Sequence, residues 1–307
     1  MHRFIAQRLI HVIPVLIGIS LLTFSMLHLI PGDPALIYAG DTPLGEELTA
    51  QIRRLLGLDR PLWVQYADYT WRLARGDLGI SMRHRGSVRD SILQALPGTF
   101  QLTMAAMVVA VLVGTVLGIV AAVMHGSWVD TSAMAVAMVG VSMPTFYSGL
   151  LLILFFSFRL AWFPATGQGG MERLVLPALA LGLSSAAILA RLVRSSMLEV
   201  LRQDYITTAR SKGLAPRVVV LRHALKNALI PTVTILGLQF GHLMTGAVTT
   251  EMVFSRPGLG RLTVTSILNW DYTMVQGIVL FAAVSFLLVN LVVDVAYAAV
   301  DPRVRYD

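Results

Sequence analysis

None of the 307 residues is cysteine, which rules out disulfides and thiolate metal sites. Charge is also scarce: 13% of residues are Asp, Glu, Lys or Arg, about half of the roughly 25% usual in a soluble domain. Only two lysines occur, Lys212 and Lys226, and neither follows glycine or precedes Ser or Thr, so the phosphate-cradling Gly-Lys-Ser/Thr loop is missing. H-E-x-x-H and G-x-S-x-G patterns are missing too. The seven histidines are scattered and, without thiols, do not resemble a nickel cage. These gaps exclude familiar enzyme chemistry, and we expect no catalytic residues, no cofactor and no resident metal.

Apolar residues make up 56% of the chain, in runs long enough to cross a bilayer, which takes about 20 mostly apolar residues. Six runs qualify, at approximately Leu9–Ile30, Phe100–Met124, Ala133–Leu160, Leu174–Leu192, Ala228–Val248 and Met274–Ala299. Pro14 lies early in the first, and Pro144 and Gly149 interrupt the third, as neighbouring helices often tolerate. The first run is longer than a signal-peptide core and leads into Pro31-Gly32-Asp33-Pro34 rather than a small-residue cleavage site, so it reads as a retained span.

Orientation follows the cations. Arg191–Lys226 holds eight Lys and Arg against Glu199 and Asp204, a surplus of six in a net charge of +7. Pro31–Leu96 is balanced, with eight Arg against eight acids. Six spans then place both termini and the basic loop in the cytoplasm and the balanced segment outside. The tryptophans at 63, 71, 128, 162 and 270 fall at span ends or beyond them, where amphipathic rings prefer to sit.

The basic loop still has helical rhythm. Leu198, Leu201, Tyr205, Thr208 and Ala209 predict one amphipathic helix running toward Lys212. Gly213 offers its stop, and Pro216 suits the first turn of a second helix with Val218, Leu221, Leu225 and Ala228 on one face. A solvated topology signal, or a surface for anionic lipid, would need no more than this charge.

At this point the chain resembles the permease subunits of bacterial ABC importers, in the dipeptide, oligopeptide, nickel and glutathione branch. The likeness is carried in order by "IPVLIGISLLTFSMLHLIPGDPA", "LGLDRPLWVQY", "GDLGISM", "SMPTFYSGLLLIL", "SSMLEVLRQDYITTARSKGL", "HALKNALIP", "VFSRPGLGRL", "DYTMVQG" and "NLVVDVAYAAVDPRVR". Where the wider superfamily has Glu-Ala-Ala before the loop glycine, this chain has Thr207-Thr208-Ala209, which matches the peptide branch. The resemblance implies an all-α membrane protein with the type I importer permease fold. It would divide into a first helix (1–30), an extracytoplasmic segment with short helices near Gln51–Leu56 and Pro61–Leu73 (31–96), and a five-helix core (97–307) with a coupling loop at 195–228. It further implies a multi-pass protein of the bacterial inner membrane, in contact with lipid and not with nucleic acid.

The implied partners are a second, homologous permease in a heterodimer, two ATPase subunits at the cytoplasmic loop, and an extracytoplasmic substrate-binding protein. The residues assigned to ATPase coupling are Asp204, Tyr205, Thr207, Thr208, Ala209, Arg210, Lys212 and Gly213. Cargo is selected by the binding protein; we expect peptide-like solutes (di- or oligopeptides, or glutathione), with nickel or another small solute as the alternative.

An ion-coupled secondary transporter would need ionisable groups near mid-membrane, and a scaffold or receptor would need no pathway at all. His28 and Glu251 fall near span ends. Asp294 is expected to pair with an arginine of the basic loop or to cap a helix, and His242 to make an interhelical hydrogen bond or line the pathway. Gly114 with Gly118, and Gly237 with Gly241, are small-xxx-small pairs suited to close helix packing, including packing between subunits. Gly237 and Gly241 are also pathway candidates.

Overall fold

The computed structural model describes residues 2–29, 46–83 and 85–300. Pro31–Pro34, the tail after residue 300 and the side chain of Asp294 lie outside the described residues. Among those described, every regular element is helical: α1 (His2–Leu29), α2 (Glu46–Leu56), α3 (Leu62–Ala74), α4 (Val88–Val123), α5 (Trp128–Ser142), α6 (Thr145–Arg159), α7 (Glu172–Val200), α8 (Asp204–Ser211), α9 (Pro216–Ala228), α10 (Ile230–Val253), α11 (Leu259–Leu268) and α12 (Tyr272–Val300). The expected extracytoplasmic helices correspond to α2 and α3.

Three helices are long and apolar enough to cross a membrane unbroken: α4, α7 and the Tyr272–Val292 part of α12. Two further candidates are bent pairs, α5 with α6 at 108° and α9 with α10 at 42°. In α1 the apolar stretch is Ile10–Met26. The interruption expected within residues 133–160 is a sharp break between two helices rather than a local kink. Met143 is extended (φ −81°, ψ 128°), as a residue before proline tends to be, and Pro144 then starts a new helix in a new direction. The second half of α6, Ile153–Arg159, is π-helical.

The chain divides into two compact units, one chiefly Met1–Pro97 with Arg261–Val295, the other Gly98–Gly260 with Ala296–Asp301. In the first, α3 packs on α1 through polar contacts at aromatic rings: Tyr66 Oη lies 2.9 Å from Ser20 Oγ, and Tyr69 Oη 3.0 Å from Thr23 Oγ1. Burial pushes the Tyr69 hydroxyl's pKa up, against the opposing hydrogen bond to Thr23. Phe24 lies against both tyrosine rings, and Gln276 Nε2 donates to the Thr23 carbonyl at 2.7 Å, adding α12. Asp271 caps α12 by accepting from Met274 N at 3.2 Å, and it also accepts from the Ser81 hydroxyl and, at 3.1 Å, from Met82 N.

In the second unit the packing depends on the absence of side chains. A Cβ at Gly114 would lie 2.6 Å from the Ala186 carbonyl oxygen and 2.8 Å from Leu189 Cβ; one at Gly118 would lie 2.7 Å from the Ala190 carbonyl oxygen and from Val193 Cβ. Gly182 repeats this from the other side, against the Ala106 carbonyl oxygen at 2.6 Å. Close approach maximises dispersion contact where lipid supplies no hydrophobic drive. Gly114 and Gly118 thus serve packing inside the chain rather than between subunits.

A buried polar latch closes the far end of α10. Thr99 Oγ1 donates to Glu251 at 2.6 Å and accepts from Leu259 N, the first residue of α11, at 2.8 Å. Glu251 is 1% exposed, and a Cβ on Gly258 would lie 2.1 Å from its carboxylate. Beside it, burial lowers the Arg256 pKa against the opposing attraction of Glu251.

Candidate coupling site

The loop expected to dock a partner starts where α7 ends at Val200. Leu201 closes the last turn, and Gln203 is extended (φ −76°, ψ 147°), so Asp204 opens a separate helix with its carboxylate at the positive end. The single helix expected from Leu198 to Lys212 is therefore two, with Leu198 and Leu201 belonging to the end of α7. Each piece is periodic, and the three-residue interruption at Leu201, Arg202 and Gln203 is too short to mark itself in the rhythm of the sequence.

Helix α8 turns one edge inward. Ile206 is fully buried and Ala209 is 8% exposed, packed with Val193 and Met197 of α7, Ala122 of α4, and Val219, Ala224 and Ala228 of α9. Asp204, Tyr205, Thr207, Thr208, Arg210, Ser211, Lys212 and Gly213 are exposed. Thr208 Oγ1 and Ser211 Oγ donate back to the carbonyls of Asp204 and Thr207, at 3.0 and 3.1 Å, so these hydroxyls are engaged within the helix. The helix ends as expected: Lys212 N donates to the Thr208 carbonyl at 3.1 Å, Gly213 N to that of Arg210 at 2.9 Å, and Gly213 takes φ +74°. Across the turn, Pro216 opens α9 at its first position.

In α9 the buried face differs from the one predicted. Residues 219–224 form a π-helical turn, which shifts the register by one residue. The residues turned inward are Val219, Ala224 and Ala228, while Val218 and Leu221 are 39% and 58% exposed. A bulge of this kind cannot be read from a 3.6-residue period.

The eight predicted coupling residues thus lie on α8 and the turn that ends it, seven of them exposed and Ala209 buried. Gly237, Gly241 and His242 lie elsewhere, on α10: both glycines are buried and His242 is exposed. The interhelical hydrogen bond expected of His242 has no counterpart among the described residues. Sequence reasoning missed Ile206, whose signal is its i, i+3 spacing from Ala209, and Asn227, which donates to the Tyr205 hydroxyl of α8 and which no local pattern identifies. Among the described residues no group of three or more His, Asp or Glu is placed to hold a metal. Helix α8 and its C-cap Lys212 expose a carboxylate, hydroxyls and two cations over the buried Ile206 and Ala209.

Known proteins match this chain along its whole length. Residues 114–306 match the family described as binding-protein-dependent transport system inner membrane component, and residues 1–103 match the N-terminal family of the same components. The glutathione transport system permease protein GsiC of Escherichia coli K12 is 44% identical over 306 residues, covering 100% of both chains. The protein of that name from Salmonella typhi has the same identity and coverage. Among solved structures, an inward-facing conformation of the MetNI methionine ABC transporter aligns with a TM-score of 0.59 at 18% identity, covering 68% of this chain and 96% of that one. An amino acid ABC transporter crystallised with histidines aligns at 0.54 and 16% identity, covering 68% and 94%. At such identities these two structures speak for the fold alone.

Proposed function

The chain belongs to the family of binding-protein-dependent transport system inner membrane components, and from that premise we propose that it forms one half of the pathway of an importer for peptide-like solutes, with glutathione the first candidate. It is a permease subunit of an ABC importer in the inner membrane, a transporter component rather than an enzyme, and it works with ATPase subunits and a substrate-binding protein. Our reading adds that a second, homologous permease completes the pathway, that six spans place both termini and α8 in the cytoplasm, and that α2 and α3 face the binding protein. The divisions 1–30, 31–96 and 97–307 belong to the same reading. Glutathione is favoured because it is the cargo named for relatives that are 44% identical end to end.

The observation that carries the coupling reading is the exposed face of α8, fixed by Ile206 and Ala209 and ended at left-handed Gly213. Residues Asp204, Tyr205, Thr207, Thr208, Ala209, Arg210, Lys212 and Gly213 form the element that docks the ATPase.

The pathway reading rests on α10. Its exposed residues Leu238, His242, Thr245, Thr249 and Met252 recur at spacings of four and three, a single stripe along one face. Thr245 and Thr249 satisfy their hydroxyls on the carbonyls of Gly241 and Gly246, at 3.2 and 3.1 Å. His242 has no partner among the described residues. By contrast, the exposed stripe of α4 from Met104 onward (Met104, Val108, Leu112, Val116 and Val120) is wholly apolar. Lipid suits the second stripe, whereas an ionisable group on a span belongs toward a water-filled cavity or a partner. His242 therefore lines the pathway, and the buried Gly237 and Gly241 behind it serve packing.

Reconstituting the complex with its ATPase subunits, second permease and binding protein tests the cargo. Glutathione is expected to stimulate ATP hydrolysis, and stimulation by nickel but not by glutathione or peptides would overturn the assignment.

A further inference from the structure

Close to α8, a second polar construction joins residues 64 positions apart. Arg194 Nε donates to Asp130 Oδ1 at 2.6 Å and Arg194 Nη2 to Asp130 Oδ2 at 2.7 Å, a bidentate fork. The Asp130 side chain is 6% exposed and that of Arg194 25%. Gly126 N donates to Asp130 Oδ2 at 3.1 Å, from a turn held open by the glycine's φ of +77°. His125 Nδ1 lies 3.1 Å from the same carboxylate oxygen and 3.2 Å from Arg194 Nη2. Ser127 caps α5 by accepting from Asp130 N at 3.4 Å. The carboxylate is thus fixed from the loop before α5, from α5 itself and from α7.

Its position within the fold suggests what it does. Arg194 stands next to Val193 and three residues before Met197, the two α7 residues on which Ile206 and Ala209 of α8 rest. Movement of α8 therefore reaches α7 through that apolar cluster. Asp130 stands in the first turn of α5, whose other end is the bend at Met143–Pro144. A fork resists sliding and rotation, which an apolar contact between smooth helices does not.

We propose that Asp130 and Arg194 are positioning residues that lock α5 to α7, so that displacement of α8 is carried to the bend of the third span instead of being lost between helices. This rests on α8 being the ATPase-docking element. His125 and the N–H of Gly126 hold the carboxylate in line for the fork.

The test uses the assembled complex, with ATPase subunits and second permease, and the absence of cysteine in this chain. Spin labels on single cysteines at the exposed Thr131 of α5 and Gln203 before α8 report their separation without nucleotide and after trapping with ATP and vanadate. In the otherwise unaltered chain the separation is expected to stay constant and narrowly distributed. Asp130→Asn, which keeps the shape but removes the charge, is expected to broaden the distribution and make it shift on trapping, while ATPase subunits remain bound and hydrolysis continues. Arg194→Lys keeps the charge without the fork and is expected to give the same broadening in weaker form. A narrow, nucleotide-independent distribution in both variants would overturn the proposal, as would a separation that already changes in the unaltered chain. Failure of both variants to assemble in the membrane would make the pair a folding element only and equally overturn it. A complex in which the unaltered chain retains no ATPase subunit would overturn the coupling reading first, and the strut with it.

Discussion

Asn227 Nδ2 donates to Tyr205 Oη across 2.7 Å, tying the exposed flank of α8 to the end of α9. With Ile206 and Ala209 holding its inner edge, α8 is attached on two sides, one apolar and one polar. An element that must push against a partner needs both, because burial fixes depth but not rotation.

Tyr205→Phe removes that bond and little else. Both side chains are exposed, so the loss is about 1 kcal/mol and global stability is expected to hold. Local opening of α8 becomes more frequent, and trypsin cleavage after Arg210 and Lys212 is expected to speed up in the purified permease. Unchanged cleavage, followed by mass spectrometry, would mean that the bond does not hold the element.

Gly213 separates two explanations of its own role. A Cβ there meets no atom within 4 Å, so a larger residue costs backbone strain alone. At φ +74° a β-branched side chain is strongly disfavoured, while asparagine enters the left-handed region more readily. Gly213→Val is expected to insert normally and lose ATPase subunits on purification, and Gly213→Asn to retain most of them. Equal retention by both variants would remove the conformational argument.

The sequence made this element legible because its stops are local. Gly213 and Pro216 mark a turn whatever surrounds them, and the charge surplus sets it apart from the spans. The apolar runs were legible for the same reason, through length alone. The 108° bend was not: Pro144 announces an interruption, but its angle depends on what α6 packs against, for instance Phe254 at Gly149. The π turn in α9 and the Asp130–Arg194 fork were also hidden, one because it breaks the period, the other because its partners lie far apart in the chain.

Helix packing gives a prediction independent of coupling. Gly114→Val places a branched side chain where a Cβ alone would overlap the Ala186 carbonyl oxygen, and overpacking of this kind costs about 1–3 kcal/mol. The thermal midpoint of the detergent-purified chain is expected to fall. Gly18→Val on α1, where a Cβ meets no atom within 4 Å, is expected to leave the midpoint nearly unchanged and serves as the comparison.

The two exposed stripes should differ toward water. Single cysteines at His242, Thr245 and Thr249 are expected to react with a hydrophilic maleimide in the assembled transporter, and cysteines at Val108 and Val116 to stay unreactive. Equal protection of both stripes would place α10 against lipid or a dry interface and remove His242 from the pathway.

Whether α8 is the seat of the ATPase is open to a single cross-linking measurement. With no native cysteine, one introduced at Thr207 on the exposed face of α8 is the chain's only thiol, and one at Ala67 on α3 serves as the distant comparison. Treated with a short bifunctional maleimide in membranes holding the complete transporter, Thr207→Cys is expected to give a covalent adduct with an ATPase subunit and Ala67→Cys none. A transporter that assembles and hydrolyses ATP, yet gives no ATPase adduct from Thr207→Cys, would contradict the account.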